Sequence, residues 1–158
     1  MLVPRATAVT VPGAAKHQRE RKRLTMNDHS GPARNTELLQ RVMQHIDDHP
    51  EQHNQAVWLR HDCGTAACFA GWAALLSDEL VEVQDVEVDG MFYDRAGVMH
   101  ATSGAAVKVL GVTGEESDVL FDATNSRDML RLMVKDLVNG DTLLDCDHYR
   151  GEAEGGTR

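Results

Sequence analysis

Apolar residues at Leu38, Leu39, Val42, Met43 and Ile46 recur with helical spacing and predict an amphipathic helix. Asn35-Thr36 can cap its start, Glu37 favours its N-terminal dipole, and Pro50 stops it at or before His49. A short apolar island, Val57-Trp58-Leu59, follows and is expected to pack on the core. From Ala66 to Leu76 only small or apolar residues occur, the pattern of a helix buried on all sides. Gly64 would turn the chain into that helix and Thr65 would cap it, with Phe69 and Trp72 anchoring one face.

The period then changes. Val81, Val83, Val86 and Val88 alternate with Glu82, Gln84, Glu87 and Asp89, as half-buried strands do. Asp89-Gly90 predicts a hairpin, Met91-Phe92-Tyr93 a return strand, and Asp94 to Gly97 a second turn before Val98-Met99-His100. A two- or three-stranded antiparallel sheet is expected, leaning on helices. Thr102 or Ser103 caps the next helix, from Gly104 to Leu110, and Gly111 closes it. Thr113 and Glu116 have capping-box spacing, and Val119, Leu120 and Phe121 bury the far end of that helix. A last helix starts at Asn125 or Ser126, turns Met129, Leu130, Leu132, Met133, Leu137 and Val138 inward, and ends at Asn139-Gly140.

The expected fold is mainly α (α+β): about five helices around a buried central helix, with a small antiparallel β-hairpin insertion. The expected core includes Trp58, Phe69, Trp72, Leu75 and Phe121. Residues 1–34 hold three of the four prolines and show no amphipathic period, which predicts a disordered basic extension. Residues 35–140 form a single compact domain, and 141–158 an acidic, Gly-rich flexible tail.

Charge sharpens this division. The net charge of −9 splits into +5 over residues 1–34 and −14 over residues 35–158. An acidic body repels phosphates, so duplex nucleic acid is not expected on the folded part. The cluster Lys16, Arg19, Arg21, Lys22 and Arg23 could touch nucleic acid as an arm, although a solvated tail explains it as well. A translation start at Met26 would remove it. No run approaches the ~20 apolar residues of a membrane span, and the N-terminus lacks the basic start and clean apolar segment of a signal peptide. Three cysteines match no disulfide framework, which fits a reduced, cytoplasmic setting.

Candidate chemistry is sparse. Cys63 and Cys68 are separated by four residues where zinc knuckles use two, and His61, Asp62, Cys146 or His148 would have to complete a site. Cys63 at a helix N-terminus would be a more reactive thiol, with His61 or His100 as base; Cys68 among alanines reads as a small hydrophobe. His45, His49 and His53 would make a metal ladder on one helix, but Pro50 interrupts it. The pairs Asp47-Asp48, Asp78-Glu79 and Glu115-Glu116 sit at helix ends or turns, where solvation and the dipole explain them. There is no phosphate-binding loop, dinucleotide glycine pattern or serine elbow. The enzyme case is thin.

Cys63-Gly64-Thr65-Ala66-Ala67-Cys68-Phe69-Ala70-Gly71-Trp72-Ala73 resembles the C-G-T-x-x-C-x-A-G-W/H-A signature of small uncharacterised proteins of actinobacteria, their phages and some other bacteria. The resemblance extends from His49-Pro50 to Leu110-Gly111-Val112-Thr113, Leu120-Phe121 and the last helix. It implies no catalytic or binding residue. The expectation is a non-enzymatic accessory protein that binds another protein, phage-encoded or phage-derived. The alternatives are a metal- or thiol-dependent site at His61, Cys63 and Cys68, with zinc as the metal, and nucleic-acid contact through the arm.

Overall fold

The computed structural model describes residues 33–84, 90–143 and 145–155. Helix α1 (Thr36–Asp48) starts where the Asn35 side chain accepts from the Leu38 N–H (3.0 Å). It buries Leu38, Leu39, Val42, Met43 and Ile46, the stripe its spacing predicts. Pro50 opens a 3₁₀ turn (Pro50–Gln52), so His49 caps α1 and His53 lies beyond it. The histidine ladder is therefore broken after its second rung.

Two short strands follow, β1 (Leu59–Arg60) and β2 (Ala66–Ala67), paired antiparallel with Leu59 opposite Ala67. The central helix α2 is consequently shorter than its composition predicts. It runs from Phe69 to Leu75, with Cys68 rather than Thr65 as its first flanking residue and no side-chain cap. Ala66 and Ala67 are drawn off as a strand because their backbone groups have partners outside a helix. Asn54 N donates to Ala67 O (3.1 Å), and Cys68 N to Val57 O (2.7 Å). Tertiary pairing overrides the high helix propensity of alanine.

A three-stranded antiparallel sheet comes next, β3 (Leu80–Glu82), β4 (Met91–Asp94) and β5 (Met99–Ala101), in that spatial order. Val86, Val88 and Asp89 lie outside the described residues. Helices α3 (Thr102–Leu110), α4 (Gly114–Leu120) and α5 (Arg127–Asn139) follow where the patterning predicts, with one difference. Helix α3 starts at Thr102 with Ala101 before it and no side-chain cap, because the Thr102 hydroxyl donates to Gly90 O (2.7 Å) instead. Gly111 and Gly140 end α3 and α5 in the left-handed conformation. Thr113 and Glu116 form the capping box, and Ser126 caps α5. Helix α2 packs against α1 and α3, and α5 packs on α1. Phe69 and Trp72 are buried at the centre, Phe121 is buried at the end of α4, and Leu75 is half-buried against the core.

Three further expectations need correction. Trp58 is 49% exposed instead of buried. The chain bends at Trp58, and Leu59, the first residue of β1, takes the inward position. The segment after residue 141 is not a plain tail, since Cys146–Gly155 forms α6 against α5. Its Tyr149 is fully buried and donates to Asp136 Oδ2 (2.8 Å). The compact unit also begins earlier than Asn35. Arg34 donates to Leu137 O (3.2 Å) and Asp141 O (2.9 Å) and pairs with Glu116, whose carboxylate is buried rather than solvated. Lys16, Arg19, Arg21, Lys22, Arg23 and Met26 lie outside the described residues. No described helix is long and apolar enough to cross a membrane.

Candidate functional site

His61, Cys63 and Cys68 do not converge. With the helix starting at Phe69, Cys63 is exposed in the turn between β1 and β2 rather than at a helix mouth. Both ring nitrogens of His61 are taken, Nδ1 by Thr65 Oγ1 (3.1 Å) and Nε2 by Glu82 Oε1 (2.6 Å). The ring thus ties the turn to β3. Cys68 is buried with its thiol 3.8 Å from the Trp58 carbonyl, and burial pushes that thiol above its ordinary pKa. A buried thiol held protonated is a poor nucleophile and a poor metal ligand.

The other candidates have structural partners. His100 bonds Asp94 Oδ2 (3.0 Å), as does Lys108, and Asp94 Oδ1 accepts from the N–H groups of Ala96 and Val98 (both 2.9 Å). Lys108 first, then His100 and the Val98 N–H, hold this carboxyl far below the usual range. The cluster fastens the β4–β5 turn to α3. Asp47 is bonded by Arg131, and Asp48 accepts from Gln44 (2.8 Å). Cys146 lies 3.8 Å from Val119 O, and His148 faces Glu152 within α6. Among the described residues, no three His, Cys, Asp or Glu side chains are grouped so as to hold a metal ion.

What Gly71 and its neighbours do build is a mount for Trp58. A Cβ on Gly71 would stand 2.0 Å from the Trp58 carbonyl oxygen and 2.7 Å from Ala67 Cβ, so only glycine lets residues 57–59 lie directly on α2. Gln55, buried, donates to Leu120 O (3.2 Å) and accepts from Phe69 N (3.1 Å), joining the start of α2 to the end of α4. His53 Nε2 lies 3.1 Å from the same amide oxygen. The backbone of the loop is thus fixed on both sides while the Trp58 ring projects outward, edge-on to Phe121 (centroids 6.3 Å apart, 85° between planes).

The ring separates two grooves. One, of about 450 Å³, is lined by Val57, Leu59, Met91, Ala101 and Ser103 among others. The second, of about 430 Å³, lies between α3 and α4 and includes Gly104, Val107, Asp118, Phe121 and Asp122. The first groove continues onto the outer face of the sheet. Met91 pairs with Ala101, and one row further Val81, Tyr93 and Met99 lie side by side across the three strands. Val81, Tyr93 and Met99 are all exposed, and none of these five outward strand positions is charged. Val98, at the adjoining turn, is exposed too.

Sequence reasoning missed this surface because it assigned Trp58 to the core and read the strands as half-buried with the valines inward and Glu82 outward, whereas Val81 is 68% exposed and Glu82 is largely covered. The neighbours Leu80/Val81 and Phe92/Tyr93 held the missing signal: both faces of these strands carry apolar residues, where a sheet wet on one side shows polar ones. Comparison with protein-family models, with curated proteins and with solved structures found no match in any of the three.

Proposed function

We propose that the chain is a binding protein without a reaction of its own, and that it holds another protein on the Trp58 surface. The observation that carries this reading is the continuous apolar face from Val81, Tyr93 and Met99 through Met91 and Ala101 to a half-exposed tryptophan. Tryptophan dominates binding energy at interfaces when it is anchored, and a loop already fixed by Gln55, Cys68 and Gly71 loses little freedom on binding. A contiguous exposed apolar patch is the kind of surface that marks interaction sites in folded proteins. The resemblance of residues 63–73 to a signature shared by small actinobacterial and phage proteins is consistent with an accessory role, phage-derived in origin. The signature residues support the mount, not a reacting group.

The test is a photo-crosslinker placed at Ser103, beside Trp58, and a control at Lys135 on α5. In the native host the Ser103 probe should give a discrete protein adduct that Trp58→Ala abolishes while the variant stays folded, its melting temperature lowered by no more than a few degrees. Adducts indifferent to Trp58→Ala, or none at Ser103, would refute the reading.

A further inference from the structure

The two grooves differ in charge as well as in place. No charged side chain lines the first, whereas the second carries Asp118 and Asp122 and no cation. Asp118 is exposed on α4. Asp122 accepts from the Thr124 N–H (2.8 Å) and hydroxyl (2.5 Å), and these bonds hold its carboxyl below the ordinary range, so it stays ionised. Arg150, whose charge also lowers Asp122, is bonded to Asp147 (2.7 Å). An apolar strip thus runs from the sheet across Trp58 and ends at carboxylates. The body around it, residues 35–158, carries a net charge of −14.

We infer that this surface takes a cationic amphipathic peptide segment of the partner protein, its apolar side chains on Trp58 and the sheet, its Lys or Arg side chains at Asp118 and Asp122. This rests on the protein-binding reading above and adds the chemistry of what is bound. An apolar groove alone would accept any hydrophobic segment. Carboxylates at one end reject acidic segments by like-charge repulsion and fix the direction in which a cationic one lies. The field of the whole body would speed the encounter and make it depend on salt.

Three synthetic peptides of one amphipathic design test it, with Leu at helical spacing and the polar positions filled by Lys, Gln or Glu. Each is titrated into the full chain and followed by the Trp58 indole N–H resonance. The Lys peptide should bind about tenfold or more tighter than the Gln peptide, and the Glu peptide more weakly still. Asp118→Lys and Asp122→Asn, the latter keeping an acceptor for Thr124, should each weaken the Lys peptide severalfold without moving the melting temperature. Equal affinity for the three peptides, no binding by any, or shifts that bypass Trp58 would overturn the inference. So would a tenfold gain in affinity on changing Arg21, Lys22 and Arg23 to Glu, which would assign the surface to the chain's own basic segment. If the Ser103 adduct forms but its mapped partner segment lacks Lys and Arg, binding at Trp58 stands and the cationic partner falls.

Discussion

Gly71 carries more of the architecture than any larger residue near it. Its missing side chain is the space occupied by the Trp58 carbonyl and Ala67. Gly71→Ala should therefore force apart α2 and the 57–59 segment and cost about 3 kcal/mol, the upper range for overpacking, read as a lower urea midpoint. Gly104 is the counterexample: it sits inside α3 with nothing within 4 Å of a built Cβ, and Gly104→Ala should stabilise by about 0.5–1 kcal/mol. The two tryptophans make a second contrast. Trp72 is buried, its ring tilted 48° against that of His45 (centroids 4.0 Å apart) and its indole donating to Gln52 O (3.3 Å). Trp72→Ala should cost about 3–5 kcal/mol. Trp58→Ala should cost under about 1 kcal/mol, because half of its ring is already in water. Equal losses at the two positions would show that both rings serve the core.

At the scale of elements, the ends are held by specific contacts rather than by propensity. Tyr149 is the fully buried residue of α6, with its hydroxyl on Asp136. Tyr149→Ala should release α6 and raise amide exchange in residues 146–155 to near that of an unstructured segment, with smaller effects in α3. Arg34 does comparable work at the other end. Removing it leaves the buried Glu116 carboxylate with the Thr113 N–H (2.9 Å) but without its cation. Arg34→Ala should cost about 3 kcal/mol, less the relief from whatever water enters, and thermal melts of that variant and Glu116→Gln will show the size. Ala66-Ala67 gives the corresponding lesson for strands: two residues of high helix propensity pair with Leu59-Arg60 because their neighbours' hydrogen bonds leave no helical alternative.

Across the whole molecule, two histidines make stability depend on pH. Burial lowers His45, aided by the charge of His49 and opposed by Gln52, Asp48 and Glu51; burial also lowers His53, opposed by its bond to Gln55 and aided by Arg127. Both start from an unfolded value of 6.5, so the unfolded chain binds more protons than the folded one once the pH falls below that point. Stability should be complete above about pH 7.5 and decline as pH drops through 6.5 toward the lowered folded values. The melting temperature measured from pH 8 to pH 5 should fall accordingly. Replacing His45 and His53 by Gln should flatten that part of the profile, and an unaltered slope would show that the carboxylates govern it.

The sequence by itself determined the helices that announce themselves by period and cap: α1 from its stripe and Asn35, α4 from Thr113 and Glu116, α5 from Ser126 and Gly140. It also determined that two or three short antiparallel strands follow the central helix. These are local properties, set by which side chains recur on one face and which backbone groups a neighbour can satisfy. Only the tertiary structure decided which way Trp58 faces, where α2 begins, and that a buried tyrosine makes a helix of residues 146–155. It alone separated His61, Cys63 and Cys68, and it alone joined Val81, Tyr93, Met99 and Trp58 into one surface. The reason is physical: an apolar residue has no preferred side until its neighbours in space are fixed, and the contacts that fix the Trp58 backbone come from Cys68 and Gly71, on a loop that Gln55 ties to α2.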